Sequence, residues 1–204
     1  MLFITIPAMA GLMVCSTPVF SLIFMGGAFD YSTVVNSATA LLYYSAGLSF
    51  VALTRVLAPV FYALKDTKTP VYTALIAFIV NFCVSLALMG PLKHGGLALA
   101  TTLSAFCNML MLLWLLRCKI GSFGGSAIMV TALKATAASL PMALLVWYGC
   151  SFADWAQDDH KIEKGIVLGG SIICGGTAYV LLMKLLQSEE ALEAVSMLRR
   201  KLRV

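Results

Sequence analysis

Three polar residues that could carry chemistry lie inside long apolar segments of the sequence. Arg55 stands about ten residues before Lys65, and Asn81 and Asn108 lie near the middle of two further apolar segments. If these segments cross a membrane, an ionisable group within them is costly and often lines a pathway for a polar substrate. Arg55 then predicts either a cation that meets a phosphate or a side chain that snorkels or pairs with a carbonyl. The two Asn residues predict interhelical hydrogen bonds or, alternatively, the wall of a solvated cavity.

No catalytic constellation accompanies these residues. His94 and His160 stand in predicted loops with no second ligand at metal spacing, and Ser, His and Asp form no recognisable triad. The six cysteines include no C-x-x-C pair, and four of them lie in apolar runs. This usage favours small hydrophobic residues over a metal site or a disulfide. The sequence therefore predicts no catalytic residue, no metal and no cofactor.

The elements that must position these residues are membrane helices. The chain has 204 residues, of which 61% are hydrophobic and 11% charged, and its mean hydropathy is +0.95. Soluble domains carry roughly 25% charged residues. Most of the charge-free segments approach or exceed the roughly 20 residues of helix that cross a bilayer. The predicted class is an all-α integral membrane protein, and the net charge of +5 reflects topology rather than nucleic-acid binding.

Six spans account for the transmembrane region, 1–186. Gly26-Gly27 ends the first span, and Pro70 begins the third, because the missing N–H of proline costs nothing in a first helical turn. In the last span, Gly165-x-x-x-Gly169, together with Gly170, Gly175 and Gly176, predicts small faces for close helix packing. The predicted spans are approximately 2–25, 37–64, 70–88, 96–116, 127–148 and 165–186.

Orientation follows from the basic residues. With both chain ends inside, nine Lys and Arg residues fall on the cytoplasmic side and three on the other side. Lys134 lies two turns into the fifth span, where snorkelling is favoured. The tail, 187–204, predicts either an amphipathic helix on the cytoplasmic leaflet or a solvated helix that only satisfies the charge bias.

Three stretches carry a family resemblance. The run RVLAPVFYALKDTKTP, from Arg55 to Pro70, resembles the stretch (K/R)-V-L-A-P-x-F-Y-x-x-x-D-(T)-(K/R)-T-P of MurJ/MviN lipid II flippases, and it includes Pro59, Asp66 and Lys68. LIFMGGAF, beginning at Leu22, and GPLKHGGLALA, beginning at Gly90, are similar to two further family stretches in the same order. Beyond Ser126 the similarity is one of hydropathy only.

The resemblance implies helices 9–14 of a fourteen-helix flippase, which moves a lipid-linked peptidoglycan precursor from the inner to the outer leaflet of the bacterial inner membrane. Arg55 would then help close the cavity, and the last two helices would form a groove for the polyprenyl tail. Gly26 and Gly27 stand where many relatives carry Arg, so an anion contact is not carried over there. The eight preceding helices have no counterpart here, and we expect Met1 to be an internal start and the chain alone to be inactive.

Three other interpretations stay open at this point. The first is a polysaccharide-lipid or drug exporter of the same superfamily, against which the stretch from Arg55 to Pro70 argues. The second is a membrane scaffold or gene remnant that transports nothing. An enzyme is disfavoured, because no catalytic cluster is present in the sequence.

Overall fold

A computed structural model describes residues 1–26, 30–92, 94–121, 125–156 and 161–185. Over these residues the fold is built from helices, and the predicted all-α class is confirmed. The helices are α1 (Leu2–Val14), α2 (Ser16–Phe24), α3 (Tyr31–Ala46), α4 (Leu48–Ala63), α5 (Lys68–Leu92), α6 (His94–Ile120), α7 (Gly125–Cys150) and α8 (Lys161–Leu185).

Five helical segments of the described chain are long and apolar enough to cross a membrane, and a sixth results if the bent pair α1–α2 counts as one span. Helices α3 and α4 together make one of the five, Tyr31–Ala63. The predicted spans thus correspond to α1–α2, α3–α4, α5, α6, α7 and α8. The tail, 187–204, lies outside the described residues, so the division at residue 186 stays a prediction.

The first span bends by 63° at Cys15, between α1 and α2. Pro18 explains the break, because its nitrogen carries no hydrogen to donate to the carbonyl of Val14, four residues earlier. The helix restarts at once, since the backbone N–H of Val19 donates to the carbonyl of Cys15 at 2.9 Å. Pro18 then lies in the first turn of α2, where proline is tolerated.

The second span is interrupted at Gly47. This residue is the junction between α3 and α4, whereas Pro59 lies inside α4, which runs from Leu48 to Ala63. A Cβ at Gly47 would stand 3.2 Å from the Cα of Thr102 on α6. Glycine is therefore required for the close approach of α3–α4 to α6. The hydroxyl of Thr102 donates to the carbonyl of Tyr43 at the same crossing.

Helix α1 packs between two groups of helices. On one side it packs against α7, and on the other against α3 and α4, while α5 packs mainly against α6. An apolar cluster around Ile6, Met142 and Tyr179 fastens α1 to α7 and α8. A second cluster, around Phe61 and Leu112, fastens α4 to α6.

Close packing of the last helix falls on one of the expected glycines, Gly175. Among the described residues, no atom lies within 4 Å of a Cβ placed at Gly169, and at Gly165 the nearest atom, on Leu22, is 4.0 Å away. A Cβ at Gly175 would instead stand 2.4 Å from Cγ2 of the buried Val146. Gly175 therefore provides the close contact between α8 and α7 because it lies on the face that α8 turns toward its neighbour.

Candidate functional site

Exposed side chains line one face of the second span. Tyr44, Val51, Arg55 and Tyr62 follow one another at intervals of seven, four and seven residues, which places them on one side of a helix. All four are exposed, with Tyr44 47% and Tyr62 52% accessible. We call these four residues the α3–α4 face. It combines two phenol hydroxyls and a guanidinium within a transmembrane segment.

Arg55 lies eight residues before the end of α4 at Ala63, or about 12 Å along the axis at 1.5 Å per residue. Within the described parts of the chain, no carboxylate or carbonyl pairs with its guanidinium. Pro59 lies four residues on and has no N–H for the carbonyl of Arg55. Arg55 therefore offers a cation to whatever covers the α3–α4 face.

Asn81 is part of a polar cluster between α5 and α6. Its Nδ2 donates to Oγ1 of Thr101 at 3.3 Å and to Oγ of Ser104 at 3.2 Å. Ser85, one turn along α5, donates to Oδ1 of Asn81 at 3.5 Å. These bonds hold the two helices together without any charged group. No hydrogen bond of the cluster reaches Arg55.

Asn108 lies one turn beyond Ser104 on α6. Its Oδ1 is buried, and within the described residues it accepts no hydrogen bond. A buried carbonyl oxygen left without a donor is costly, so Asn108 is an unsatisfied acceptor within the described part of the structure. Among the described residues, no hydrogen bond joins Arg55, Asn81 and Asn108 to one another.

An apolar groove runs between α1 and α8. Its volume is about 440 Å³, and none of its lining residues is charged. We call it the α1–α8 groove. Such a surface can hold a hydrocarbon chain, because it offers dispersion contacts and no hydrogen-bond competition. Its side walls include Leu12, Val19, Met142, Val146, Ile172 and Val180.

Asp66 lies just after the end of α4 and connects this end to α5 and α6. Its carboxylate accepts from the backbone N–H of Thr69 at 3.1 Å and from the Thr69 hydroxyl, which anchors the first turn of α5. It also forms an ion pair with Lys119 of α6, and Lys119 stands 5.9 Å above the ring centre of Phe61. Hydrogen bonds from Lys119 first, and from Thr69 next, hold the pKa of Asp66 well below its usual range.

This arrangement gives the motif residues structural positions. Pro70 is buried in the first turn of α5, and Lys68 is the exposed first residue of that helix. Lys119 was not among the predicted site residues, because 53 residues separate it from Asp66 in the chain. Among the described residues, no group of three or more His, Cys, Asp or Glu side chains could hold a metal ion.

Comparison with known proteins identifies relatives of this chain. A family model described as "Lipid II flippase MurJ" matches residues 1–164. The chain is 34% identical over 185 residues to a probable lipid II flippase MurJ of Vibrio cholerae, covering 90% of this chain and 35% of that protein. It is 31% identical over 189 residues to the probable lipid II flippase MurJ of Rickettsia prowazekii, covering 88% and 37%.

A third relative, the probable lipid II flippase MurJ of Thermotoga maritima, is 32% identical over 189 residues, covering 93% of this chain and 36% of that protein. The chain therefore spans little more than a third of the length of the curated relatives that it matches.

Proposed function

This chain belongs to the MurJ lipid II flippase family, and we propose that it forms the C-terminal part of a transporter that moves a lipid-linked peptidoglycan precursor from the inner to the outer leaflet. The first part of the transport path would come from an N-terminal portion of eight helices. We further propose that the protein lies in the bacterial inner membrane with both chain ends in the cytoplasm. The proposed role is transport, and no covalent chemistry is assigned to any residue.

The exposed cation on the α3–α4 face carries this proposal. Arg55 lies within a span, it is exposed, and no described residue neutralises it. A lipid-linked precursor carries a diphosphate, and a guanidinium binds phosphate oxygens through paired hydrogen bonds. Tyr44 and Tyr62, on the same face, add hydroxyls for polar groups of the substrate. The face thus has the chemistry of one wall of a cavity that accepts an anionic headgroup.

The α1–α8 groove suits the hydrocarbon end of the proposed substrate. A lipid-linked substrate has a long hydrocarbon tail, which gains nothing from a polar cavity. The groove is apolar and lies between α1, α7 and α8, on elements other than α3 and α4. The α3–α4 face suits the headgroup of such an amphipathic molecule, and the α1–α8 groove suits its tail. We propose that the tail occupies the α1–α8 groove while the headgroup passes the α3–α4 face.

Substitution of Arg55 in the intact protein tests the proposal. Arg55→Ala removes the cation, and we expect transport to fall by at least about tenfold, since a charged hydrogen bond contributes roughly 1.5–3 kcal/mol. Arg55→Lys keeps the charge without the paired geometry and should retain part of the activity. Transport is measured as exposure of the precursor to an enzyme added outside cells that depend on this protein, with protein abundance determined in parallel.

Arg117→Ala is the matched control, because Arg117 is an exposed cation at the end of α6 and not on the α3–α4 face. We expect this variant to retain transport. Full transport by Arg55→Ala at normal abundance would count against the proposed path. A separate assay of this chain alone in vesicles should show no flipping, because half of the proposed path is missing.

A further inference from the structure

Two cysteines that are far apart in the chain meet in one buried cluster. Cys15, at the bend between α1 and α2, is 3% exposed, and Cys150, at the end of α7, is 5% exposed. Both belong to the apolar cluster that also contains Val146 and Leu168. The packing therefore brings two thiols from separate helices into one buried cluster.

Hydrogen bonds fix the segment around the pair. The indole N–H of Trp155 donates to the carbonyl of Cys150 at 2.8 Å. The hydroxyl of Ser21, on α2, donates to the carbonyl of Trp155 at 2.6 Å. The chain after α7 is therefore tied to α2, on the far side of the bend from α1. These contacts limit how far Cys150 can move away from Cys15.

The pair is also reachable. Cys15 lines the α1–α8 groove, so a small permeant reagent has a path to its sulfur through the groove. Cys150 lies at the end of α7 opposite to Asp66 and Lys119, and Cys15, at the α1–α2 bend, belongs to the same cluster. In the orientation proposed above, that end faces the extracytoplasmic side, where disulfides form and persist.

We propose that Cys15 and Cys150 form a disulfide under oxidising conditions and so act as a redox-closable tether between the α1–α2 bend and α7. By thiol–disulfide exchange, one cysteine attacks a small cyclic disulfide that enters through the groove, and the second then displaces that molecule as its dithiol. One S–S bond forms in the chain, one breaks in the oxidant, and the two thiol protons are taken up by the leaving sulfurs.

The tether closes one end of the α1–α8 groove. Cys15 and Val146 both line the groove, and Cys150 lies one turn beyond Val146 on α7. A bond between the two sulfurs fixes the separation of α1 and α7 at that end. The extracytoplasmic placement rests on the proposed function, but the presence of both thiols in one cluster does not.

The test uses the intact protein in isolated membranes with the other four cysteines of this chain replaced, as Cys83→Ala, Cys107→Ala, Cys118→Ala and Cys174→Ala. Diamide, which takes up two electrons and two protons as it becomes a hydrazine, is the oxidant. After denaturation, free thiols are counted with a polyethylene-glycol maleimide. We expect two adducts before oxidation and none after it, with both returning after reduction. Mass spectrometry should find the peptide pair joined at Cys15 and Cys150.

The matched control keeps Cys174 and replaces Cys150 instead, by Cys150→Ala. Cys174 is exposed and lies outside the cluster, so both remaining thiols should stay reactive. Correct folding of each variant is checked by its melting temperature before oxidation. Two free thiols after diamide treatment of the folded Cys15 and Cys150 variant would overturn the proposal, and so would equal cross-linking in the control. The readout does not involve transport, so its failure would leave the proposed flippase function standing.

Discussion

The hydroxyl of Tyr179, near the end of α8, donates a hydrogen bond to the carbonyl oxygen of Phe3, near the start of α1, at 2.8 Å. In a regular helix this carbonyl would accept from the N–H of residue 7, but residue 7 is Pro7. The proline therefore frees an acceptor, and a helix 176 residues away supplies its donor. Tyr179 is only 4% exposed, so the bond is shielded from competing water.

Tyr179→Phe removes this donor and leaves the Phe3 carbonyl unsatisfied. We expect a loss of about 1–2 kcal/mol in the free energy of unfolding, in line with an orphaned buried acceptor. Chemical or thermal unfolding of the purified protein in detergent measures it. The rings of Phe3 and Tyr179 lie 5.6 Å apart and should remain in contact, since the substitution keeps the aromatic ring.

A second substitution shows whether the proline is the cause. Pro7→Ala restores an N–H at position 7 and gives the Phe3 carbonyl a partner within α1. In that background, Tyr179→Phe should cost less than about 0.5 kcal/mol, as expected for coupled residues in a double-mutant cycle. An equal cost in both backgrounds would mean that Tyr179 stabilises the fold by packing alone.

Asp66 predicts a pH dependence of stability. Its pKa is lowered in the folded protein, so the folded state binds fewer protons at this site than the unfolded state does. The stabilisation is present above the unfolded pKa of about 3.9 and is lost as the pH falls below it. We expect the melting temperature to drop over that range in the wild type and to drop less in Asp66→Asn.

Lys119→Met separates the two causes of this shift. It removes the ion pair but leaves the hydrogen bonds from Thr69. The drop in melting temperature at low pH should then be intermediate between those of the wild type and Asp66→Asn, because the hydrogen bond from Lys119 is the largest cause of the lowered pKa of Asp66. Identical pH profiles for Lys119→Met and the wild type would show that Thr69 alone stabilises the carboxylate.

Gly175 and Gly170 on α8 form a matched pair for substitution. At Gly175 an added Cβ would meet Val146, whereas at Gly170 no atom in the described part of the chain lies within 4 Å. Overpacking costs about 1–3 kcal/mol, and replacing a helical Gly by Ala returns about 1 kcal/mol. Gly175→Ala should therefore lower the unfolding free energy by roughly 1 kcal/mol, and Gly170→Ala should leave it unchanged or raise it. Equal effects at both positions would refute the close contact.

The sequence predicts the spans well because hydropathy and charge act locally, along the chain. It does not predict which helix face packs, since that depends on neighbours distant in sequence. Gly169 and Gly175 lie in the same helix, yet only Gly175 meets another helix within the described residues. Likewise Pro18 coincides with a break and Pro59 does not. The pairing of Asp66 with Lys119 depends on how α4, α5 and α6 pack together, so their spacing in the sequence does not predict it.

The orientation in the membrane gives a last prediction. The excess of basic residues places the end of α6 in the cytoplasm, where Cys118 lies exposed between Arg117 and Lys119. In a variant that retains Cys118 as its single cysteine, a membrane-impermeant maleimide should label inverted vesicles and not intact spheroplasts. Ser151→Cys, after the end of α7, should show the reverse pattern, because Ser151 is exposed at the opposite end of the helices. Labelling of Cys118 from outside would show that the topology is inverted. Cys150, at the other end of the helices, would then face the reducing cytoplasm, where a disulfide with Cys15 would not persist.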